Sequence, residues 1–156
     1  MANKNIETVA VGSLLQSTAW YRELAATAEC EYLLLVGKDG VSVDDMLLND
    51  MLLAMPQGAV MGYSHYRKKI DGNVSDAPTI DWQPGSLRND FDFGPVLLFR
   101  TDALKQYLAM PLEEYSYAGF YQLRLAMERI GSIYHHNGYV YTVDEDDTRK
   151  SGEKQF

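Results

Sequence analysis

Lys38 and Asp39 lie where chemistry is easiest to expect in this chain. They follow the apolar run Tyr32-Leu33-Leu34-Leu35-Val36, inside the short turn Gly37-Lys38-Asp39-Gly40. In an open α/β sheet, ligands bind in the crevice beyond the carboxyl ends of the strands. An ammonium and a carboxylate at such a point are therefore the first candidates for ligand contact. An acidic pair, Asp90 and Asp92, closes the segment from Asp76 to Asp92, where Pro78, Pro84 and Gly85 break any periodicity. Long irregular connections in compact domains are often functional; the plainer alternative is a surface loop anchored by Trp82.

The other reactive residue types offer less. Cys30 is the single cysteine, with no base near it in sequence, so buried filler is the expectation, and one thiol builds no disulfide framework. His135 and His136 are adjacent on an expected strand and so point to opposite faces, which denies them a shared metal unless the strand bulges. His65 stands alone on an earlier strand. No glycine-rich phosphate loop, serine nucleophile elbow or Cys-x-x-Cys pair occurs in the sequence.

The elements that position these residues can be read from periodicity. Ile6 to Val11 reads as a strand, and Ser17 or Thr18 caps a helix whose Trp20, Tyr21, Leu24, Ala25 and Ala28 share a face. The run through Val36 is apolar at consecutive positions, which suggests a strand covered on both faces. Ser42 and Asp45 resemble a capping box for a helix carrying Leu47, Leu48, Met51, Leu52 and Met55, ended by Pro56. Gly58 to Tyr66 continues as a strand to the hairpin signal Asp71-Gly72. Pro95 to Phe99 is a second strongly apolar strand, followed by a helix capped by Thr101. Phe120, Leu123, Met127 and Ile130 form one stripe of a last helix, and Ile133 to Val143 reads as a strand or as a hairpin around Asn137-Gly138. The expected architecture is α/β, a mixed and mainly parallel sheet flanked by helices, within a single domain over residues 1–143. Residues 144–156 read as a charged polar tail leading to a following domain of a longer parent.

Composition narrows the partners. A chain of 156 residues, 46% hydrophobic, has one domain's worth of core, and at this length roughly 70% of the unfolded surface is buried. Fourteen basic against twenty-two acidic residues give a net charge of −8, which argues against nucleic acid. The one basic triplet, Arg67-Lys68-Lys69, reads as a solvated hairpin edge. No apolar run approaches the ~20 residues of a membrane span, so the expectation is a cytoplasmic protein, or one held at a membrane through a partner.

Several stretches carry a resemblance when taken in order. They are Ser17-Thr18-Ala19-Trp20-Tyr21-Arg22 through Ala28, then Tyr32 to Gly40, then Asp44-Asp45-Met46. Gly94-Pro95-Val96-Leu97-Leu98-Phe99-Arg100 follows, and Leu123 to Gly131 leads to Ile133 and Tyr139-Val140-Tyr141. This order resembles the family 2 glycosyltransferases of the GT-A fold, in which a helix written like S-A-A-R-N-x-G-I-x-x-A precedes a strand ending Y-I-L-F-L-D-A-D-D. The resemblance implies transfer of a sugar from a nucleotide-sugar donor to a glycan or other acceptor, as in polysaccharide synthesis. It implies Mg²⁺ or Mn²⁺ held by a D-x-D motif, for which this chain writes Gly37-Lys38-Asp39. Asp39 is then the metal carboxylate, and Lys38 an ammonium able to neutralise phosphate. Where the family has an E-D pair as general base, this chain has Gly119-Phe120, with Gln122 beyond. Asp90 and Asp92 are the substitutes assigned to catalysis, with Glu113 and Glu114 behind them. The family's opening strand should lie upstream of Ile6, so the fold is expected to be incomplete at its N-terminus. The alternative is a degenerate, non-catalytic domain that binds a glycan, an adjacent domain or a second copy of itself.

Overall fold

The computed structural model describes residues 6–79, 93–110 and 119–145. Asp90, Asp92, Glu113, Glu114 and Trp82 lie outside the described residues.

The apolar run of the sequence forms β2 (Tyr32–Val36), and its two-sided character has a simple origin. Leu33 and Leu35 enter one buried cluster, with Tyr21, Leu24, Ala25, Ala103, Leu104, Tyr107, Leu123 and Met127. Leu34 and Val36 enter another, with Leu48, Met51, Tyr66 and Tyr141. Alternate side chains of one strand thus meet different helices, as a pleated strand requires. The first cluster belongs to α1 (Thr18–Thr27), α3 (Thr101–Leu108) and α4 (Gly119–Ile130). The second belongs to α2 (Asp45–Ala54).

The remaining strands are β1 (Ile6–Ala10), β3 (Val41–Val43), β4 (Ala59–Ile70), β5 (Asn73–Ala77), β6 (Val96–Arg100) and β7 (Ser132–Asp144). They form a seven-stranded sheet in the order β1-β2-β6-β4-β7-β3, with β5 paired to β4. The sheet is mixed, but the expectation that it is mainly parallel is corrected. Among the described residues only β1 with β2 and β4 with β7 pair in parallel, while the other four pairings are antiparallel. An apolar run records that both faces are covered and carries no information on the direction of its neighbours; β6 runs antiparallel between β2 and β4. By these pairings β1, β2, β4 and β7 point the same way, so their carboxyl ends gather at one end of the sheet.

Local chemistry explains most element boundaries. Ser17 caps α1, its hydroxyl accepting from the Trp20 N–H at 3.1 Å. α2 is capped by Asp44, whose carboxylate accepts from the Leu47 N–H at 3.1 Å, and not by Ser42. Ser42 lies in β3, a short strand between the turn and α2 that pairs with β7. Thr101 is the first residue of α3 and is buried, so it does not cap that helix. At the β4–β5 hairpin both Asp71 (φ 53°) and Gly72 (φ 79°) are left-handed, as a tight two-residue turn demands. Asn137-Gly138 makes no hairpin. β7 runs through it as one strand: its pairing with β4 stops at His136 and resumes at Tyr139, so Asn137-Gly138 is taken up as a register slip between Ser64 and Tyr66.

The three-helix layer is tied by specific polar contacts. Lys105 Nζ donates to the Ala25 and Ala26 carbonyls at 2.8 and 3.0 Å, capping the end of α1 with a cation. Arg22 returns the tie to the Leu108 carbonyl at 3.2 Å. Thr18 donates to Gln122 Oε1 at 2.9 Å and joins α1 to α4.

Candidate functional site

The polypeptide leaving Val36 opens into a cleft of about 370 Å³, within the range of roughly 300–1,000 Å³ typical of small-molecule sites. The cleft lies at the gathered carboxyl ends of the sheet. Gly37 and Lys38 reach it from β2, Tyr66 and Lys68 from β4, Val143 and Glu145 from β7, Leu14 from the segment after β1, and Gly94 and Pro95 from the entry to β6.

Two glycines let the backbones converge there. The Gly37 N–H donates to the Pro95 carbonyl at 2.7 Å, and a Cβ at position 37 would run into the Leu14 side chain. Leu14 is itself fixed, since its carbonyl accepts from the Tyr21 hydroxyl at 2.5 Å. Burial, reinforced by Tyr107 nearby, pushes that phenol well above its ordinary pKa and keeps it a donor. Gly94 has φ 82°, and a Cβ there would meet the Tyr141 hydroxyl and the Tyr66 ring. Tyr66 and Tyr141 stack with centroids 4.9 Å apart and planes within 6°, forming a rigid wall beneath Gly94.

The charges of the cleft come from β2, β4 and the residue that follows β7. Lys68 lies two residues beyond Tyr66 in β4 and continues a row that is apolar where α2 covers it, and Glu145 comes directly after Asp144, the last residue of β7. Lys38 Nζ lies 3.2 Å from Glu145 Oε2, with the side chains 37% and 20% exposed. Among the described residues the lining carries two ammonium groups against one carboxylate, in a chain of net charge −8. Asp144 and Glu145, read from sequence as the start of the tail, belong to this structure: the Asp144 N–H donates to the Gly40 carbonyl at 2.8 Å.

Of the two residues of the turn, Lys38 lines the cleft, whereas Asp39 is exposed and is not among the lining residues. The D-x-D resemblance implies a divalent cation, which needs several hard oxygen ligands converging on it. Among the described residues the donor set does not fit: the lining offers one carboxylate, already engaged by Lys38, and there is no group of three or more potential metal ligands. Lys68 and Glu145 were missed by sequence reading. Their only signal is period-two spacing from Tyr66 and Val143, which acquires meaning once β4 and β7 are known to pair.

The histidines meet differently from expectation. His65 is not isolated: its ring lies 4.8 Å from that of His135 and 5.1 Å from that of Tyr139. Thr79 bridges the pair, its N–H donating to His65 Nδ1 at 3.0 Å and its hydroxyl lying 2.8 Å from His135 Nε2. His135 also stacks on Tyr63 at 4.4 Å. His136 takes another partner, the Tyr134 hydroxyl, at 2.9 Å. Burial holds its pKa below the ordinary value, with the Asp50 carboxylate pulling the other way. Cys30 is half-buried; its N–H, with that of Glu29, is bound by the Glu7 carboxylate at 2.9 and 2.7 Å.

No protein-family model matches the chain, and no curated protein matches it as a relative. Among the described residues no helix is long and apolar enough to cross a membrane.

Proposed function

We propose that this chain is a glycosyltransferase-like domain that takes the diphosphate of a nucleotide-sugar donor into the cleft beyond β2, β4 and β7, within a larger protein that transfers the sugar to a glycan or other acceptor. One observation carries the reading. Lys38 and Lys68, contributed by two different strands of an acidic chain, line a single cleft at the strand ends where α/β sheets bind ligands. In such a transfer the acceptor oxygen bonds to the anomeric carbon as the bond to the diphosphate breaks. The charge gathering on the leaving diphosphate would face the two ammonium groups, which is where electrostatic stabilisation counts most. The GT-A kinship rests on the resemblance in sequence together with the α/β architecture.

A second reading, a non-catalytic domain that binds a nucleotide, a glycan or a neighbouring domain, is favoured by the state of Glu145. The acceptor's proton needs a base, and among the described residues the one carboxylate lining the cleft is held by Lys38 at 3.2 Å. A thermal-shift series with UDP-glucose and GDP-mannose tests the first reading and the nucleotide-binding form of the second, because a ligand that binds the folded chain raises its melting temperature by mass action. Product formation with a glycan acceptor then separates them. A melting temperature unmoved by either nucleotide sugar at millimolar concentration contradicts the nucleotide-sugar proposal.

A further inference from the structure

We infer that the cleft holds a diphosphate without a divalent cation, Lys38 and Lys68 supplying the positive charge and Glu145 acting as a resting counter-ion that the phosphate displaces; this rests on the reading of the cleft as a nucleotide-sugar site. The Glu145 carboxylate is already occupied. Lys38 Nζ stands 3.2 Å from Glu145 Oε2, so an ammonium holds the position from which a metal ion would bind that oxygen, and would repel it. Asp39 is exposed outside the lining and brings no second oxygen ligand to the cleft. Among the described residues, the positive charge that lines the cleft and can compensate a diphosphate is that of these two lysines.

Both lysines are anchored for that task. Lys38 follows Gly37, whose N–H is fixed to the Pro95 carbonyl at 2.7 Å. Lys68 lies in the β4–β7 register opposite Val143 and makes no ion pair among the described residues. When a phosphate arrives, Lys38 exchanges one anionic acceptor for another and keeps a charge-assisted hydrogen bond. Glu145, whose side chain is already 20% exposed, is released toward water. No bond is made or broken and no proton moves.

The test is calorimetric titration of the full chain with inorganic pyrophosphate, UDP-glucose and GDP-mannose, each in EDTA and in Mn²⁺. Pyrophosphate and at least one nucleotide sugar are expected to bind in EDTA. Lys38→Ala and Lys68→Ala should each weaken that binding about tenfold or more, with circular dichroism confirming that the variants fold. Glu145→Gln should strengthen it by up to about fivefold, since it removes the competing partner; a metal ligand at that position would give the opposite result. Binding that requires Mn²⁺, or binding in EDTA that survives both lysine substitutions unchanged, overturns the inference and leaves the nucleotide-sugar reading standing. Pyrophosphate binding in EDTA with no response to either nucleotide sugar overturns that reading and leaves the cation-free anion site standing. No binding under any condition overturns both.

Discussion

Leu33 and Leu34 are neighbours in β2, yet they meet different kinds of cover. Leu33 faces α1, α3 and α4, a layer cross-tied by Lys105, Arg22 and Thr18; Leu34 faces α2 alone. α2 has 10 residues and spans roughly 15 Å, while β4 has 12 and spans roughly 40 Å. α2 is far shorter than β4, and beyond the part of the sheet it covers the row of Tyr66 continues into Lys68, with Glu145 just past Val143, at the cleft. The difference teaches a division of labour: the three-helix face supplies most of the packing, and the thinly covered face ends in the cleft.

The comparison is broken most directly in the core. Leu33→Ala should cost about 3–5 kcal/mol and Leu34→Ala about 2–3 kcal/mol, because the cavity under a single helix collapses more readily. Urea denaturation of the two variants checks this, and equal losses would mean that α2 packs as firmly as the other layer. Next in size are the glycines at the cleft. Gly94→Ala forces a side chain into φ 82° and against the Tyr141 hydroxyl, and Gly37→Ala pushes on Leu14. Each should destabilise by about 1–3 kcal/mol and weaken ligand response as well, which thermal shift with and without UDP-glucose separates.

Lys38→Ala sharpens the comparison by doing the reverse. Its ion pair with Glu145 is partly exposed, so the melting temperature should change little, by the equivalent of at most about 1 kcal/mol, while the response to ligand falls. The smallest effect is the pH dependence from His136, which lies on strand β7 and feels Asp50 of α2. Its folded pKa is lowered by burial, so the unfolded chain takes up that proton more readily. Stability from this group is complete above the ordinary value of 6.5 and declines as pH falls through the lowered folded value. His136→Asn should flatten that slope in denaturation curves recorded between about pH 7.5 and 5.

Much of this fold was legible because its signals are local. The consecutive apolar residues of β2 announced cover on both faces, Asp71-Gly72 announced the hairpin, and the spacing of Tyr21, Leu24, Ala25 and Ala28 announced the buried face of α1. What escaped depends on partners distant in sequence. The direction of β6 is set by which strands it enters between. β3 is three residues long, too short for a period to register, and its polar Ser42 read as a helix cap. Asn137-Gly138, a turn signal in isolation, is a register slip because β7 pairs with β4 on both sides of it, at His136 and again at Tyr139. The site divided in the same way. Lys38 was visible from its place after Val36, but Lys68 was read as hairpin edge and Glu145 as tail, since nothing local says that β4 and β7 bring them to one cleft. Asp90 and Asp92 lie outside the described residues, so their assignment to catalysis stands as sequence alone left it.

The central claim is that ligands enter beyond the carboxyl ends of β2, β4 and β7, and amide chemical shifts during a titration test it most directly. With UDP-glucose added to the isotopically labelled chain, the account predicts that the largest changes cluster at Gly37, Lys38, Lys68, Gly94 and Glu145. Changes centred on the His65–His135–Thr79 group, or no changes at saturating concentration, would contradict it.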